Sequence, residues 1–191
     1  MAAKVVNEKR FSEMKTAFQQ QNPGVIDDYT LTARIQLAQA ANIDDYNKIF
    51  LNLSAKIPTE LTRLIVIDNI LAVCDNFIKA DGQVDFIERS NFLQKHTKQL
   101  KRLAHDHNLV VVILNNVVAD MNQNQGGNGF FGERSRGQNI VPSLGLMWSN
   151  CINERICLKK KMGHGSEVKR TMVIEKSSFM RKSDIEFEIN N

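Results

Sequence analysis

A chain of 191 residues, 42 % hydrophobic and 24 % charged, has the size of one good-sized domain and the composition of a soluble globular fold. No apolar run approaches the roughly 20 residues that a membrane helix needs, and the opening MAAKVVNEKR lacks the apolar stretch of a secretory signal. The three cysteines, Cys74, Cys151 and Cys157, form no C-x-x-C pair, which argues for free thiols in a reducing compartment and against a zinc site.

The formal charge of +4 is unevenly placed. From Phe130 onward there are eleven Lys/Arg against seven Asp/Glu, whereas the first 129 residues hold fourteen of each. Excess positive charge in the last third suits an anionic partner such as nucleic acid, or else a solvated basic face.

In chain order, residues 3–6 (AKVV) read as a truncated strand. Phe11, Met14 and Phe18 recur at helical spacing up to Gln21, and Asn-Pro-Gly at 22–24 stops that helix. ARIQLAQA (33–40) alternates and predicts a short strand. Asp44 or Asp45 is the expected cap of the next helix, whose apolar stripe is Ile49, Phe50, Leu53 and Ile57, with Pro58 at its end. LTRLIVIDNI (61–70) then carries four apolar residues into one carboxylate, a strand expected over 64–68 that ends in Asp68. Residues 85–107 are a long amphipathic helix on Phe86, Phe92, Leu93, Leu100, Leu103 and Ala104. LVVVILN (109–115) is a second strand apolar throughout. Strand, long helix, strand, with both strands apolar on both faces, predicts a β-α-β crossover in a parallel sheet.

Residues 119–141, which contain ADMNQNQGGNGFFGERSRGQN, have no period and are expected to form a long mobile loop. A short helix with Leu144, Leu146 and Met147 is expected to begin near Pro142. ERICLKK, KRTMVIEK and DIEFEIN close the chain as a strand meander, with GHGS (163–166) as a turn. No internal repeat and no domain boundary is visible.

Asp68 at the carboxyl end of a parallel strand stands where ligands bind in open α/β sheets, and can hold Mg²⁺ beside a phosphate; the plain alternative is an ordinary strand terminus. Asn115 and Asn116 either sense a phosphate or cap backbone groups. Phe130 and Phe131 are suited to stack on bases and Arg134 and Arg136 to neutralise phosphates, or the aromatic pair folds onto the core. Lys159–Lys161 read as a solvated edge, and His105 and His107 as favourable charges at a helix C-terminus. The 191 residues contain no Gly-x-x-x-x-Gly-Lys-Ser/Thr, no G-x-S-x-G and no H-E-x-x-H.

Together these segments resemble the RecA-like recombinase core, and within it the eukaryotic X-ray-repair cross-complementing paralogues. LTRLIVIDNI looks like the family's Walker B strand, and LVVVILNNVVADM like the strand that follows it. GFFGERSRGQNIVPSLGLMWSNCINERICLKK is similar to the passage from the DNA-binding loop into the next helix and strand, and VVNEKRFSEMKTAFQQQNP to a strand, acid and helix passage near the start of the core. The resemblance spans almost all of the chain and begins after the family's Walker A segment. It implies an α/β fold: a partial RecA-like P-loop ATPase core over residues 1–191, with a mostly parallel central sheet, helices on both faces and a C-terminal antiparallel extension. Glu8 would polarise the attacking water. Lys15 would face adenine, where relatives usually carry arginine. Asp68 would hold Mg²⁺. Asn116 would couple nucleotide to the DNA loop, one methylene shorter than the usual glutamine, and Phe130, Phe131, Arg134 and Arg136 would touch DNA.

The implied role is homologous recombination in the nucleus, as a recombinase-paralogue subunit. Its partners would be single-stranded DNA and recombinase or paralogue subunits, with ATP and Mg²⁺ bound only where a Walker A segment is supplied. The alternative is a non-catalytic interaction module that keeps the sheet as a scaffold. Lys176, Arg181 and Lys182 stand where relatives cap a neighbour's nucleotide.

Overall fold

The computed structural model describes residues 8–78, 82–119, 140–162 and 168–189. The chain divides into two compact units: residues 1–84 with 103–114, and residues 85–102 with 115–191.

The first unit opens with α1 (Glu8–Gln21), closed by Asn22, whose backbone N–H and side-chain amide both donate to Phe18 O at 2.9 Å. A short α2 (Asp28–Ala33) follows, started by Asp27, whose carboxylate accepts from the Thr30 N–H. That helix ends where the expected strand at 33–40 should begin, and residues 35–40 form no strand. The alternation there rests largely on alanine, a weak strand former, and Ile35 and Leu37 are exposed. α3 (Ile43–Lys56) is the expected helix, but its cap is Asn42, which accepts from the Asp45 N–H; Asp44 and Asp45 sit inside the first turn, where negative charge suits the helix dipole.

β1 (Leu64–Ile67) and β2 (Val110–Ile113) pair in parallel, Leu64 opposite Val110 through Ile67 opposite Ile113. The predicted crossover is therefore present, and α5 (Phe86–Asp106) lies in the connection. Between β1 and α5 run α4 (Ile70–Cys74), capped by Asn69, and a 3-10 turn Asp75–Phe77. The core gathers Ile57, Ile65 and Leu109, packed by Leu53, Ile67, Leu103, Ala104 and Val111. Its partners fix which face of the pair is covered. Ile65 is 7 % exposed, whereas Leu64, Val66, Val110 and Val112 on the opposite face are 55, 55, 60 and 44 % exposed. Strands expected to be covered on both faces are packed on one by the described residues of this unit. α5 reaches β2 through a turn at Asn108, whose φ of +49° asparagine tolerates better than most residues.

The second unit holds the first four turns of α5, which bury Leu93, His96, Thr97 and Leu100. β3 (Val117–Ala119) and β4 (Ile140–Pro142) pair antiparallel, a ribbon the sequence did not announce. Pro142 ends β4, so the next helix, α6 (Gly145–Cys151), begins three residues later than expected. The turn between them is tight: Leu144 and Gly145 have φ of +72° and +70°. A buried leucine in that region is strained by about 1–3 kcal/mol, which the burial of Leu144 and Trp148 around it helps to offset. β5 (Arg155–Met162), β6 (Val168–Lys176) and β7 (Asp184–Phe187) form the predicted antiparallel meander in that order. The α/β class expected from the sequence is what the structure has; the expected segments at 3–6 and 163–166 lie outside the described residues.

Candidate nucleotide and nucleic-acid sites

The strand that stood out in the sequence delivers its acid to an open position. β1 ends at Ile67, and Asp68, the next residue, is exposed at the carboxyl end of the parallel pair. The two strand ends are held together there by the Leu114 N–H, which donates to Ile67 O at 2.9 Å. The neighbouring Asn69 is committed elsewhere, because its side chain accepts from the Ala72 N–H at 2.9 Å and starts α4. Asp68 is thus a single carboxylate at a strand tip. Among the described residues no group of three or more His, Cys, Asp and Glu side chains converges on a metal position. One carboxylate suits Mg²⁺, which keeps most of its waters and takes the remaining ligands from a nucleotide phosphate. It does not suit a metal held by protein alone.

Glu8 and Lys15 both lie on α1, in the first unit with Asp68. Glu8 is exposed in the first turn. Lys15 is engaged locally: its Nζ donates to Thr32 Oγ1 at 2.9 Å, stands 3.5 Å from Asp28 Oδ1, and lies 5.8 Å from the Phe11 ring centre. These contacts fasten α1 to α2. A lysine facing adenine would first have to leave them.

The two asparagines after β2 divide their roles. Asn115 Nδ2 donates to Ser143 O at 3.0 Å, Ser143 Oγ donates back to Asn115 Oδ1 at 2.5 Å, and the Ser143 N–H reaches Asn116 O at 2.9 Å. This clamp ties Asn115 and Asn116 to the turn before α6. Asn115 therefore takes the backbone-capping reading, while the Asn116 side chain stays exposed. The clamp and the β3–β4 ribbon together close the base of the 120–139 segment. Phe130, Phe131, Arg134 and Arg136 lie outside the described residues.

Lys176 is not available to a phosphate. Its Nζ donates to Ser149 O at 2.9 Å and Ile152 O at 2.8 Å, capping the C-terminus of α6. Arg181 and Lys182 remain exposed. Sequence reasoning also left His96 without a role. It is 3 % exposed, stacks on Phe92 with ring centres 5.6 Å apart and planes 4° apart, and burial pushes its pKa down to about 4. It is a neutral core imidazole, and its place at i+4 from Phe92 was the signal in the sequence. All three cysteines are free thiols, as expected, and burial raises the pKa of Cys157. No helix among the described residues is long and apolar enough to cross a membrane.

Residues 5–191 match the Rad51 family. The chain is 27 % identical over 166 residues to a protein of Arabidopsis thaliana described as "DNA repair protein XRCC3 homolog", covering 81 % of this chain and 54 % of that protein. It is 26 % identical over 126 residues to "Meiotic recombination protein DMC1 homolog A" of Oryza sativa subsp. indica, covering 66 % of this chain and 33 % of the relative. The homolog B of subsp. japonica matches to the same extent. The chain thus spans about half the length of the first of these relatives and a third of the others. With the parallel β1–β2 pair, the acid at its tip and a match over nearly every residue, this chain belongs to the Rad51 family.

Proposed function

We propose that the chain is a recombinase-paralogue subunit that acts in DNA repair by homologous recombination. It binds single-stranded DNA and assembles with recombinase or paralogue subunits in the nucleus. The observation that carries this reading is the Rad51 family match over residues 5–191, supported by the XRCC3-like and DMC1-like relatives. The 120–139 segment is the DNA contact: Phe130 and Phe131 stack on bases, and Arg134 and Arg136 neutralise phosphates. The antiparallel pairing of β3 and β4 supports that role, because it sets Ala119 opposite Ile140, the two residues that flank this segment.

Where a Walker A segment is supplied, by a longer chain or a neighbouring subunit, Asp68 would hold Mg²⁺ beside the nucleotide phosphates. Glu8 orients the attacking water, and Asn116 reports nucleotide state to the DNA segment; Lys15 reaches the base only on leaving Thr32 and Asp28. The bound Mg²⁺·ATP supplies the charge neutralisation and the hydrolysable phosphoryl group.

A gel-shift titration with single-stranded DNA over a range of salt concentrations tests the DNA reading. Arg134→Ala with Arg136→Ala should flatten the slope of log K against log salt by about 1.4, roughly 0.7 for each lost phosphate contact. An unchanged affinity and slope would remove this segment from the interface.

A further inference from the structure

The connection between β6 and β7, residues 177–183, is pinned by a single carboxylate. Glu154 Oε1, just ahead of β5, accepts from the Ser178 N–H at 3.1 Å and from Ser178 Oγ at 2.9 Å. The nearby Ser177 hydroxyl and the Ser178 N–H hold the Glu154 pKa below the usual glutamate value. Ser177 Oγ in turn accepts from the Phe179 and Met180 N–H groups, at 3.2 and 2.8 Å. The connection is closed at its far end by the Ile174 N–H on Ser183 O at 2.9 Å. Beyond this latch everything faces water. Ser178 is exposed, Phe179 is 77 % exposed, and Arg181 and Lys182 are exposed. Neither of these two cations is in an ion pair among the described residues.

We propose that Ser178 is a phosphoacceptor, modified by a protein kinase whose acidic cleft reads basic residues and whose apolar pocket takes the residue after the serine. Phe179 fills that pocket, and Arg181 and Lys182 supply the charge. In the reaction Ser178 Oγ bonds to the γ-phosphorus of the kinase's nucleoside triphosphate. The bond to the bridging oxygen breaks, the nucleoside diphosphate leaves, and the hydroxyl proton passes to the kinase's base. The product destroys the latch. Ser178 no longer donates a proton, and a group of about −2 charge stands against the Glu154 carboxylate. The phosphate moves instead toward Arg181 and Lys182, three and four residues on, where charge-assisted hydrogen bonds receive it. The connection exchanges an attachment to β5 for one within itself, while Lys176 keeps its hold on α6.

The test is to incubate the full chain with a basophilic kinase catalytic domain and Mg²⁺·ATP, map the phosphate by tandem mass spectrometry, and follow native-state amide exchange. One phosphate is expected on Ser178, absent in Ser178→Ala and slowed in Arg181→Ala with Lys182→Ala. The Ser178, Phe179 and Met180 amides should then exchange faster by on the order of tenfold, with α6 unchanged. In Glu154→Gln, which removes the repelling charge, phosphorylation should accelerate exchange less. The proposal is overturned by phosphate on Ser177 or Ser183 in place of Ser178. Modification of a free peptide but not of the folded chain overturns it too, as does unchanged exchange after modification. None of these outcomes depends on DNA binding.

Discussion

The uncovered face of the parallel pair makes a measurable demand. Leu64 lies opposite Val110 and Val66 opposite Val112, so the four side chains form one contiguous apolar patch, each about half exposed. Fully burying a side chain of this size contributes about 1.5–3 kcal/mol, so completing the burial of each is worth roughly 1 kcal/mol and of the patch about 4 kcal/mol. In an isolated preparation the cover always at hand is a second copy, and two patches face to face gain about 8 kcal/mol before the costs of association. Replacing Val66 and Val112 by Thr keeps the β-branched shape that the strands need. It removes about half of each patch, about 4 kcal/mol in a symmetric pair, or on the order of a thousandfold in the dissociation constant. Sedimentation velocity over a concentration series reads this directly. The wild-type chain should self-associate as its concentration rises, and Val66→Thr with Val112→Thr should stay largely monomeric over the same series. A wild-type chain that stays monodisperse and monomeric, or a variant that associates as tightly, refutes the reasoning.

Two further outcomes follow from side chains the structure buries, each measured in that soluble double variant. His96 titrates near 4 when folded because burial disfavours the imidazolium, whereas an unfolded histidine titrates near about 6.5. The unfolded chain takes up the proton first, so this stabilisation is complete above about pH 6.5 and is lost as pH falls toward 4. Between about pH 7.5 and pH 5 the loss is about 2 kcal/mol. Urea titrations should show His96→Leu losing less stability over that interval by this amount; parallel pH dependence of the two proteins would contradict it. Ser143→Ala deletes the hydroxyl that donates to Asn115 and leaves a half-buried amide oxygen unmet, at a cost of about 1–3 kcal/mol. Ser143→Ala with Asn115→Ala should cost no more than the worse single change, and additive losses would show that the two residues do not act as a clamp.

The local patterns that carried the family resemblance were legible because they are short and periodic. Four apolar residues ending in Asp68 marked β1. The 3.6-residue recurrence from Phe86 to Ala104 marked α5, and alternation marked β5, β6 and β7. Where the chain alternated through alanine, at 33–40, the pattern misled, because a pattern without side-chain volume has little to bury. Pro142 misled for a related reason: a residue without an N–H fits a first helical turn and a strand end equally well, and only the pairing with Val117 chose between them.

What remained for the tertiary structure was the commitment of polar side chains. Lys15, Lys176 and Asn115 carry the right chemistry for a phosphate or a base, yet each is engaged by residues 17, 27 or 28 positions away. Asp68 and Asn116 are not so engaged and stay exposed. Likewise, the sequence shows that β1 and β2 are apolar on both faces, but burial is a property of neighbours, and within the first unit the described residues pack on one face only. A periodicity records what a segment can bury or bind; the partner that claims it is fixed by the path of the rest of the chain.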